Sequence, residues 1–383
     1  MPQKQPISRF ATAMGTLALA LTATFVHADS FGFAQTNLVS DIPGMAANTD
    51  PNLKNPWGVS FSATSPFWTS DQATGLATLY SATGVPQGLV VTIPGSAAPP
   101  TGPTGQVFNT GPASGFLING GAKATFIFDN LNGSISAWNG SAGTTAVVQA
   151  SSTGAIYTGL AQNTATNFGS VLYAANSAPG GGIDVYDSSW MRVILGGSAF
   201  IDPHAVAGFV PFNIQSIGAD LYVTYAKLGP GGVPMPGGYV DEFDANGNFI
   251  KRIATGGDLF APWGLTLAPG NFGSFSNDLL IGNFGNGEIL AYDATSDMFL
   301  GTLNGINGNP IVNDHLWALE TRNAPGFDPN ALYFSAGIND EADGLFADIT
   351  ANTPEPATIF GTATGLIALA FAQVRRRLVR SSL

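Results

Sequence analysis

Oxygen-bearing side chains recur at the ends of short apolar segments in this 383-residue chain. Asp71, Asp129, Asn176 and Asn283 each end such a segment. One interpretation is a ring of carboxylate and amide oxygens that could bind Ca²⁺ or the hydroxyl groups of a sugar. The alternative is structural, because Asp and Asn side chains commonly accept hydrogen bonds from the tight turn that follows a strand. Recurrence at equivalent positions favours the structural role.

Motifs for catalysis are sparse in this sequence. His204 and His315 are the only histidines after the N-terminal segment, and their spacing matches no zinc motif. There is no Gly-x-Ser-x-Gly elbow, no phosphate-binding Gly-Lys-Ser/Thr loop and no cysteine. We therefore predict no catalytic residue, no metal-ligand set and no cofactor, with Ca²⁺ as the one ion to consider.

Two acidic segments are the candidates for that ion. "DANGN" at 244–248 starts like a calcium loop but lacks the glycine and the glutamate that such a loop requires, so we interpret it as a hairpin turn. "NDEADG" at 339–344 places three acids in one loop and is the better cation candidate.

A repeat of about 54 residues contains these polar positions. Its pattern is Gly-x-apolar-x-x-aromatic-(Ser/Asn/Asp), and its copies begin at Gly75, Gly133, Gly181, Gly238, Gly287 and, in degenerate form, Gly344. Apolar segments flank each copy, and a further segment lies upstream at 55–61, 116–120, 157–161, 211–217, 261–267 and 315–321. Four short strands repeated six times are typical of a β-propeller.

The strand count also predicts how the ring closes. A fourth strand follows five of the six copies, and one spare strand lies within 34–44, before the first copy. A ring in which the N-terminal strand completes the last blade removes the exposed sheet edges. We therefore predict an all-β fold, a six-bladed β-propeller over residues 34–350. The alternative, an open β-sandwich, predicts no period near 54 residues.

The charge distribution restricts the partners. Without its two ends, the body at about 29–353 carries seven basic and 24 acidic residues, a net charge of −17. This charge repels phosphate backbones and argues against nucleic acid as a partner. Cations and neutral ligands such as sugars remain compatible with it.

The N-terminus has the features of a secretory signal peptide at residues 1–28. Lys4 and Arg9 precede the apolar run 10–26, and small residues at the −3 and −1 positions predict cleavage after Ala28. The alternative, a buried N-terminal helix, would require an amphipathic stripe that is absent. We therefore expect export through the Sec machinery.

The C-terminus carries three further signals in order. They are Pro354, Glu355 and Pro356, the apolar span 357–374, and Arg375, Arg376 and Arg377. This arrangement resembles the bacterial PEP-CTERM sorting signal, here at 353–380. Eighteen helical residues span about 27 Å, just enough to cross a hydrocarbon core, and the arginines would stay cytoplasmic. The resemblance implies transient inner-membrane anchoring, recognition by an exosortase, and delivery to the cell surface or matrix; the alternative is a permanent anchor.

The body resembles NHL-type propellers in its blade pattern. The strings "NPWG" (55–58), "PFNIQSIG" (211–218) and "LYVTYA" (221–226) are also similar to an uncharacterised family of secreted bacterial proteins. The resemblance implies a fold and no activity. We expect a non-enzymatic binding or structural protein of the cell surface or extracellular matrix, with a polysaccharide or protein partner. The alternative is a metal-dependent propeller hydrolase or lactonase, which three or more converging Asp, Glu, Asn or His side chains in the central cavity would favour.

Overall fold

The structure is a computed structural model that describes residues 32–95 and 102–352. The predicted signal peptide at 1–28 and the predicted sorting signal at 353–380 lie outside these residues. The described chain forms 25 β-strands and four short 3₁₀ turns. None of its helices has the length and apolar character needed to span a membrane.

The strands form six sheets that follow one another along the chain. Strands β1 and β2 span Gly32–Ser40 and Asn48–Thr49. Blade 1 contains β3 to β6, at Pro56–Ser60, Phe67–Asp71, Leu76–Tyr80 and Val91–Thr92. Blade 2 contains β7 to β10, at Pro103–Phe108, Phe126–Asn130, Ser134–Trp138 and Val147–Ser151. Blade 3 contains β11 to β14, at Tyr157–Ala165, Gly169–Asn176, Ile183–Asp187 and Arg192–Val193.

Blade 4 contains β15 to β18, at Val210–Ile217, Asp220–Leu228, Pro234–Asp244 and Phe249–Thr255. Blade 5 contains β19 to β22, at Pro262–Leu267, Leu279–Asn283, Ile289–Tyr292 and Phe299–Thr302. Blade 6 contains β23 to β25, at Leu316–Thr321, Ala331–Ala336 and Leu345–Asn352. The 3₁₀ turns lie at Ile118–Gly120, Gly140–Ala142, Pro230–Gly232 and Gly273–Phe275. The predicted all-β, six-bladed propeller is confirmed.

The N-terminal strand closes the ring, as the strand count predicts. β1 pairs antiparallel with β25, from Gly32 opposite Asn352 to Ser40 opposite Leu345. Val39 of β1 is fully buried in this sheet. Because β1 precedes blade 1 along the chain, its pairing with blade 6 joins the two ends of the domain and covers the edge that β25 would otherwise expose.

Aromatic rings fill the spaces between neighbouring blades. Trp68 of blade 1 packs against Phe126 and Trp138 of blade 2, with ring centroids 4.3 and 4.8 Å apart. Phe67 of blade 1 lies 4.6 Å from Tyr333 of blade 6. Aromatic residues of the second and third strands therefore fill these spaces, because each blade must bury its face against the next.

Every innermost strand contains a register shift near its start. The shifts lie at Pro56/Val59, Pro103/Gln106, Tyr157/Gly159, Pro211/Asn213, Pro262/Gly264 and Leu316/Leu319. Adjacent blades approach closely there: a Cβ at Gly105 would lie 2.3 Å from Leu160 N, and one at Gly264 would lie 2.4 Å from Trp317 O. Glycine is required at these two positions because no side chain fits.

The predicted innermost strand of blade 2 is wrong. Residues 116–120 include the 3₁₀ turn Ile118–Gly120, and the innermost strand is Pro103–Phe108. Residues 103–108 contain no tryptophan, so they lack the Pro-Trp-Gly pattern that marks the innermost strands of blades 1 and 5 in the sequence. What they do retain is Gly105 at the close approach to blade 3.

Candidate functional site

The central channel is closed near its middle. The gap between the innermost strands, lined by residues such as Gly105, Asn213 and Trp263, has a volume of about 10 Å³. That is about the space of one water molecule. The channel therefore gives two separate openings. We call the larger one, a cavity of about 870 Å³ where the innermost strands begin, the cup.

The floor of the cup is a stack of aromatic rings. Trp57 and Trp317 stack with centroids 3.5 Å apart, and Phe284 lies 4.3 Å from Trp317. Phe212 completes the group at 5.9 Å from Trp317. All four side chains are buried within the protein. Since most of this surface is apolar and fixed by packing, it suits a ligand with an apolar body.

A polar network borders one side of this floor. Asn55 accepts a hydrogen bond from Trp317 Nε1 at 2.9 Å. Its amide donates to Gln72 Oε1 at 2.8 Å and to Glu341 Oε1 at 3.2 Å. Burial raises the pKa of the Glu341 carboxyl, although His315 and the Asn55 amide oppose this shift. The network fixes Glu341 at the edge of the cup.

The turn that carries Glu341 has an unusual backbone. Asn339, Asp340 and Glu341 have φ values of 56°, 54° and 65°, so three successive non-glycine residues adopt the left-handed region. Such residues are uncommon even singly, and their cost must be offset by surrounding contacts. The turn directs Glu341 towards Asn55 and places Asp340 next to Asp314 and His315.

A second group near the cup could hold a metal ion. Asp314, His315 and Asp340 offer ligand atoms that all lie within 4.8 Å of one another. His315 Nδ1 is 2.9 Å from Asp314 Oδ1, and the His315 ring packs on Phe284. The acidic loop predicted as a cation candidate is therefore divided, because Asp343 pairs instead with Lys54 at 3.2 Å.

The hairpin interpretation of residues 244–248 is confirmed. Strands β17 and β18 pair on either side of these residues. Asp244 Oδ1 accepts hydrogen bonds from the backbone amides of Asn246 and Asn248, at 2.8 and 2.9 Å. The acid therefore stabilises the turn.

The two predicted aspartates bond hydroxyl groups inside the protein. Asp71 is fully buried and accepts a hydrogen bond from Thr78 Oγ1 at 2.7 Å. Asp129 is also fully buried and accepts one from Thr104 Oγ1 at 2.7 Å. Burial raises the pKa of Asp71 above its ordinary value and that of Asp129 to about 7. In blade 1, Asp71 lies opposite Pro56. In blade 2 the residue opposite the corresponding proline, Pro103, is Asn130, so Asp129 is one residue away from the position equivalent to Asp71.

The two predicted asparagines bond backbone groups. Asn176 Oδ1 accepts from the amides of Ile156 and Ala178, at 3.0 and 3.2 Å. Asn283 Oδ1 accepts from the amide of Phe260 at 3.0 Å. These contacts support the structural interpretation of the two side chains. A ligand-binding role for the four predicted residues stays a prediction.

Sequence reasoning did not identify Asn55, Gln72 or Glu341 as neighbours. Asn55 lies in the "NPWG" string, which carries the family resemblance, and Glu341 lies in the acidic loop, which was predicted as a cation candidate. The only signal that could connect them is ring closure, which brings blade 6 next to blade 1. Residues 286 positions apart in the chain then share a hydrogen bond.

Comparisons with known proteins agree with this fold. No protein-family model matches the chain. Among solved structures, the PQQ-bound aldose sugar dehydrogenase of Streptomyces coelicolor has a TM-score of 0.50 and 11% identity, over 85% of this chain and 99% of that one. A structural genomics protein of unknown function from Bacteroides thetaiotaomicron also has a TM-score of 0.50 and 11% identity, over 84% and 76%. At this identity the likeness concerns the fold alone.

Two viral proteins are more similar in sequence. Uncharacterized protein R648 of Acanthamoeba polyphaga mimivirus is 30% identical over 332 residues, covering 82% of this chain and 78% of that protein. Uncharacterized protein L690 of the same virus is 30% identical over 330 residues, covering 82% and 84%. This chain therefore belongs to the same protein family as R648 and L690 of Acanthamoeba polyphaga mimivirus.

Proposed function

We propose that this protein is an exported propeller of the cell surface or extracellular matrix that binds a ligand in the cup and does not catalyse a reaction. The observation that carries the proposal is the cup itself. Its volume of about 870 Å³ lies within the range of about 300–1,000 Å³ that small-molecule sites occupy. An apolar floor with a few polar groups at one side is the usual composition of such sites.

The enzymatic alternative, a metal-dependent hydrolase, is less well supported by the lining of the cup. It requires three or more converging Asp, Glu, Asn or His side chains. Among the described residues that line the cup, only Asn55 and Glu341 are of these types. The group formed by Asp314, His315 and Asp340 is outside this lining. The dehydrogenase with a similar fold is an enzyme, but at 11% identity its activity does not transfer.

The groups around the cup restrict the chemistry of the ligand. Glu341 Oε2 receives no hydrogen bond or ion pair from the described residues, so it can accept a hydrogen bond from a ligand. Trp57 Nε1 is buried without a partner in the described part of the chain and can donate one. An anionic ligand would meet both Glu341 and the acidic body. We therefore propose a mainly apolar, neutral or cationic ligand with one donor and one acceptor.

The terminal segments support the export part of the proposal. The signal-peptide pattern at 1–28 and the PEP-CTERM resemblance at 353–380 are typical of a protein sorted by an exosortase. Delivery to the surface would bring the propeller to a matrix polysaccharide or a protein partner. The charge of the body supports the prediction that nucleic acid is not a partner.

A neutral fluorescent probe can test the cup. We expect N-phenyl-1-naphthylamine to bind the mature protein with increased fluorescence. Ile156 lies at the rim of the cup and is 38% exposed, so Ile156→Asp should weaken this binding at least about tenfold without loss of folding. The matched control is Ile201→Asp, an exposed isoleucine away from the cup. No binding by the wild type, or equal binding by Ile156→Asp, would contradict the proposal.

A further inference from the structure

A second opening lies at the other end of the channel, where the innermost strands continue away from the cup. We call it the polar mouth; it has a volume of about 220 Å³. The lining side chains that matter here are Ser60, Phe61, Gln106, Phe108, Gln215 and Glu320. All but Phe61, which directly follows β3, come from the innermost strands of four blades, so the propeller ring holds them around one small cavity.

Two polar atoms in the polar mouth are buried without a partner. Ser60 Oγ and Gln106 Oε1 make no hydrogen bond within the described chain, and their residues are only 8% and 6% exposed. Gln106 Nε2 donates to the carbonyl oxygens of Gly58 and Trp68, at 2.7 and 2.9 Å, which fixes the amide in place. A buried polar atom without a partner costs about 1–3 kcal/mol, so these two atoms are natural sites for ligand hydrogen bonds.

Glu320 adds an acid that no cation neutralises. Within residues 32–95 and 102–352 it forms no salt bridge, and the Gln215 side chain opposes only part of the rise in its pKa. Arg322 forms no ion pair with Glu320; its guanidinium donates to Ser62 O at 3.1 Å and lies between the rings of Phe61 and Phe327, 4.5 and 3.5 Å from their centroids. Burial raises the pKa of Glu320 to about 8. At neutral pH its carboxyl is therefore mainly protonated and can both donate and accept.

The polar groups of the mouth need both hydrogen-bond donors and acceptors, which the hydroxyl groups of a ligand can supply. A hydroxyl donates one hydrogen bond and accepts others, so it can serve Gln106 Oε1, Ser60 Oγ and the Glu320 carboxyl together. An anion would find no cation among the lining residues of the mouth. Phe61 and Phe108 are half-buried and provide apolar surface for the C–H face of a sugar ring. The cavity is too small for an extended chain.

We propose that the polar mouth binds one pyranose unit of a neutral saccharide. Ser60, Gln106, Gln215 and Glu320 bond its hydroxyl groups, and the two phenyl rings contact its apolar face. This site is separate from the cup, since the channel narrows to about 10 Å³ between them. The proposal therefore does not depend on what the cup binds.

Saturation-transfer NMR with the mature protein tests this site, using the methyl glycosides of glucose, galactose and mannose as ligands. Ser60→Ala removes a hydroxyl that has no partner in the described chain, so folding should be unaffected while the affinity falls about three- to tenfold. Glu320→Leu should reduce the affinity at least about tenfold. Ser136→Ala is the matched control, because Ser136 Oγ is also buried and unpartnered but does not line the polar mouth.

Several results would overturn the proposal. One is the absence of saturation transfer from all three glycosides to the wild type. Another is equal affinity in the wild type, Ser60→Ala and Glu320→Leu. Loss of glycoside binding in Ile156→Asp but not in Ser60→Ala would assign the sugar to the cup. Binding of Ca²⁺ without any glycoside would show that the mouth is a cation site instead.

Discussion

Replacement of Glu320 by glutamine should make the propeller more stable at alkaline pH. The folded protein raises the pKa of this carboxyl from its ordinary value of 4.5 to about 8, chiefly because it is buried. The folded state therefore binds the proton more tightly than the unfolded state does. This contribution to stability is complete below about pH 4.5 and is lost as the pH rises through about 8. Glutamine cannot ionise and keeps the shape of the glutamate side chain.

The size of the effect follows from the two pKa values. At about 1.4 kcal/mol for each tenfold change, a pKa near 8 in place of 4.5 corresponds to at most about 5 kcal/mol. The side chain is only partly enclosed and lines the polar mouth, where solvent screens part of the cost. We therefore expect Glu320→Gln to be more stable than the wild type by about 2 kcal/mol near pH 9, and equal or slightly less stable near pH 5.

Urea unfolding followed by tryptophan fluorescence measures this difference at several pH values. Asp129, whose pKa is raised to about 7 by burial, changes stability in the same direction and contributes equally to both proteins. Glu288→Gln, at a turn in blade 5, is the matched control and should follow the wild-type curve. If Glu320→Gln and the wild type lose stability in parallel as the pH rises, the assignment of a costly buried carboxylate to Glu320 is wrong.

Three further predictions concern closure, a buried ion pair and sorting. A chain that begins at Asn48 lacks β1, so its melting temperature should fall by at least about 10 °C relative to the chain that keeps β1, and it should aggregate. Arg252→Ala leaves the buried Asp241 without its partner and should cost about 3–5 kcal/mol in urea unfolding. Alanine at the exposed Arg192 should cost less, because its partner Asp184 keeps hydrogen bonds from Tyr157 Oη and Asn176 Nδ2. Glu355→Ala should leave uncleaved precursor in the membrane fraction on immunoblots; release at the wild-type size would contradict the sorting signal.

The sequence predicts the fold well because each blade must bury the same kind of apolar face against its neighbours. In blades 1, 2 and 5 a glycine precedes the third strand at a tight turn, at Gly75, Gly133 and Gly287 with φ of 69°, 76° and 73°. An aromatic residue five positions later enters the core between blades, as Trp138 and Tyr292 do. Both constraints act locally, within one or two blades, and therefore leave a period in the sequence.

The candidate site was predictable only in part, because its contacts cross the point of ring closure. Asn55 precedes blade 1 and Glu341 lies in the last turn of blade 6, so no local pattern relates them. The same holds for the polar mouth, where Ser60 and Glu320 come from the first and last innermost strands. Contacts of this kind depend on the number of blades and on the register of β1 against β25. The repeat in the sequence predicts the number of blades, but it predicts the register of β1 against β25 only approximately.

The register shift in the innermost strands also explains why the two openings differ in chemistry. Within the shifts of β3 and β23, Trp57 and Trp317 face each other at 3.5 Å and fill the width of the channel with rings. Beyond the shifts, the strands present smaller or polar residues such as Ser60 and Gln215, and the channel widens again. Strands β3 and β23 thus carry a tryptophan within the shift and a polar residue, Ser60 or Glu320, beyond it. One structural device therefore separates the openings, and substitutions in either can alter its ligand without changing the other.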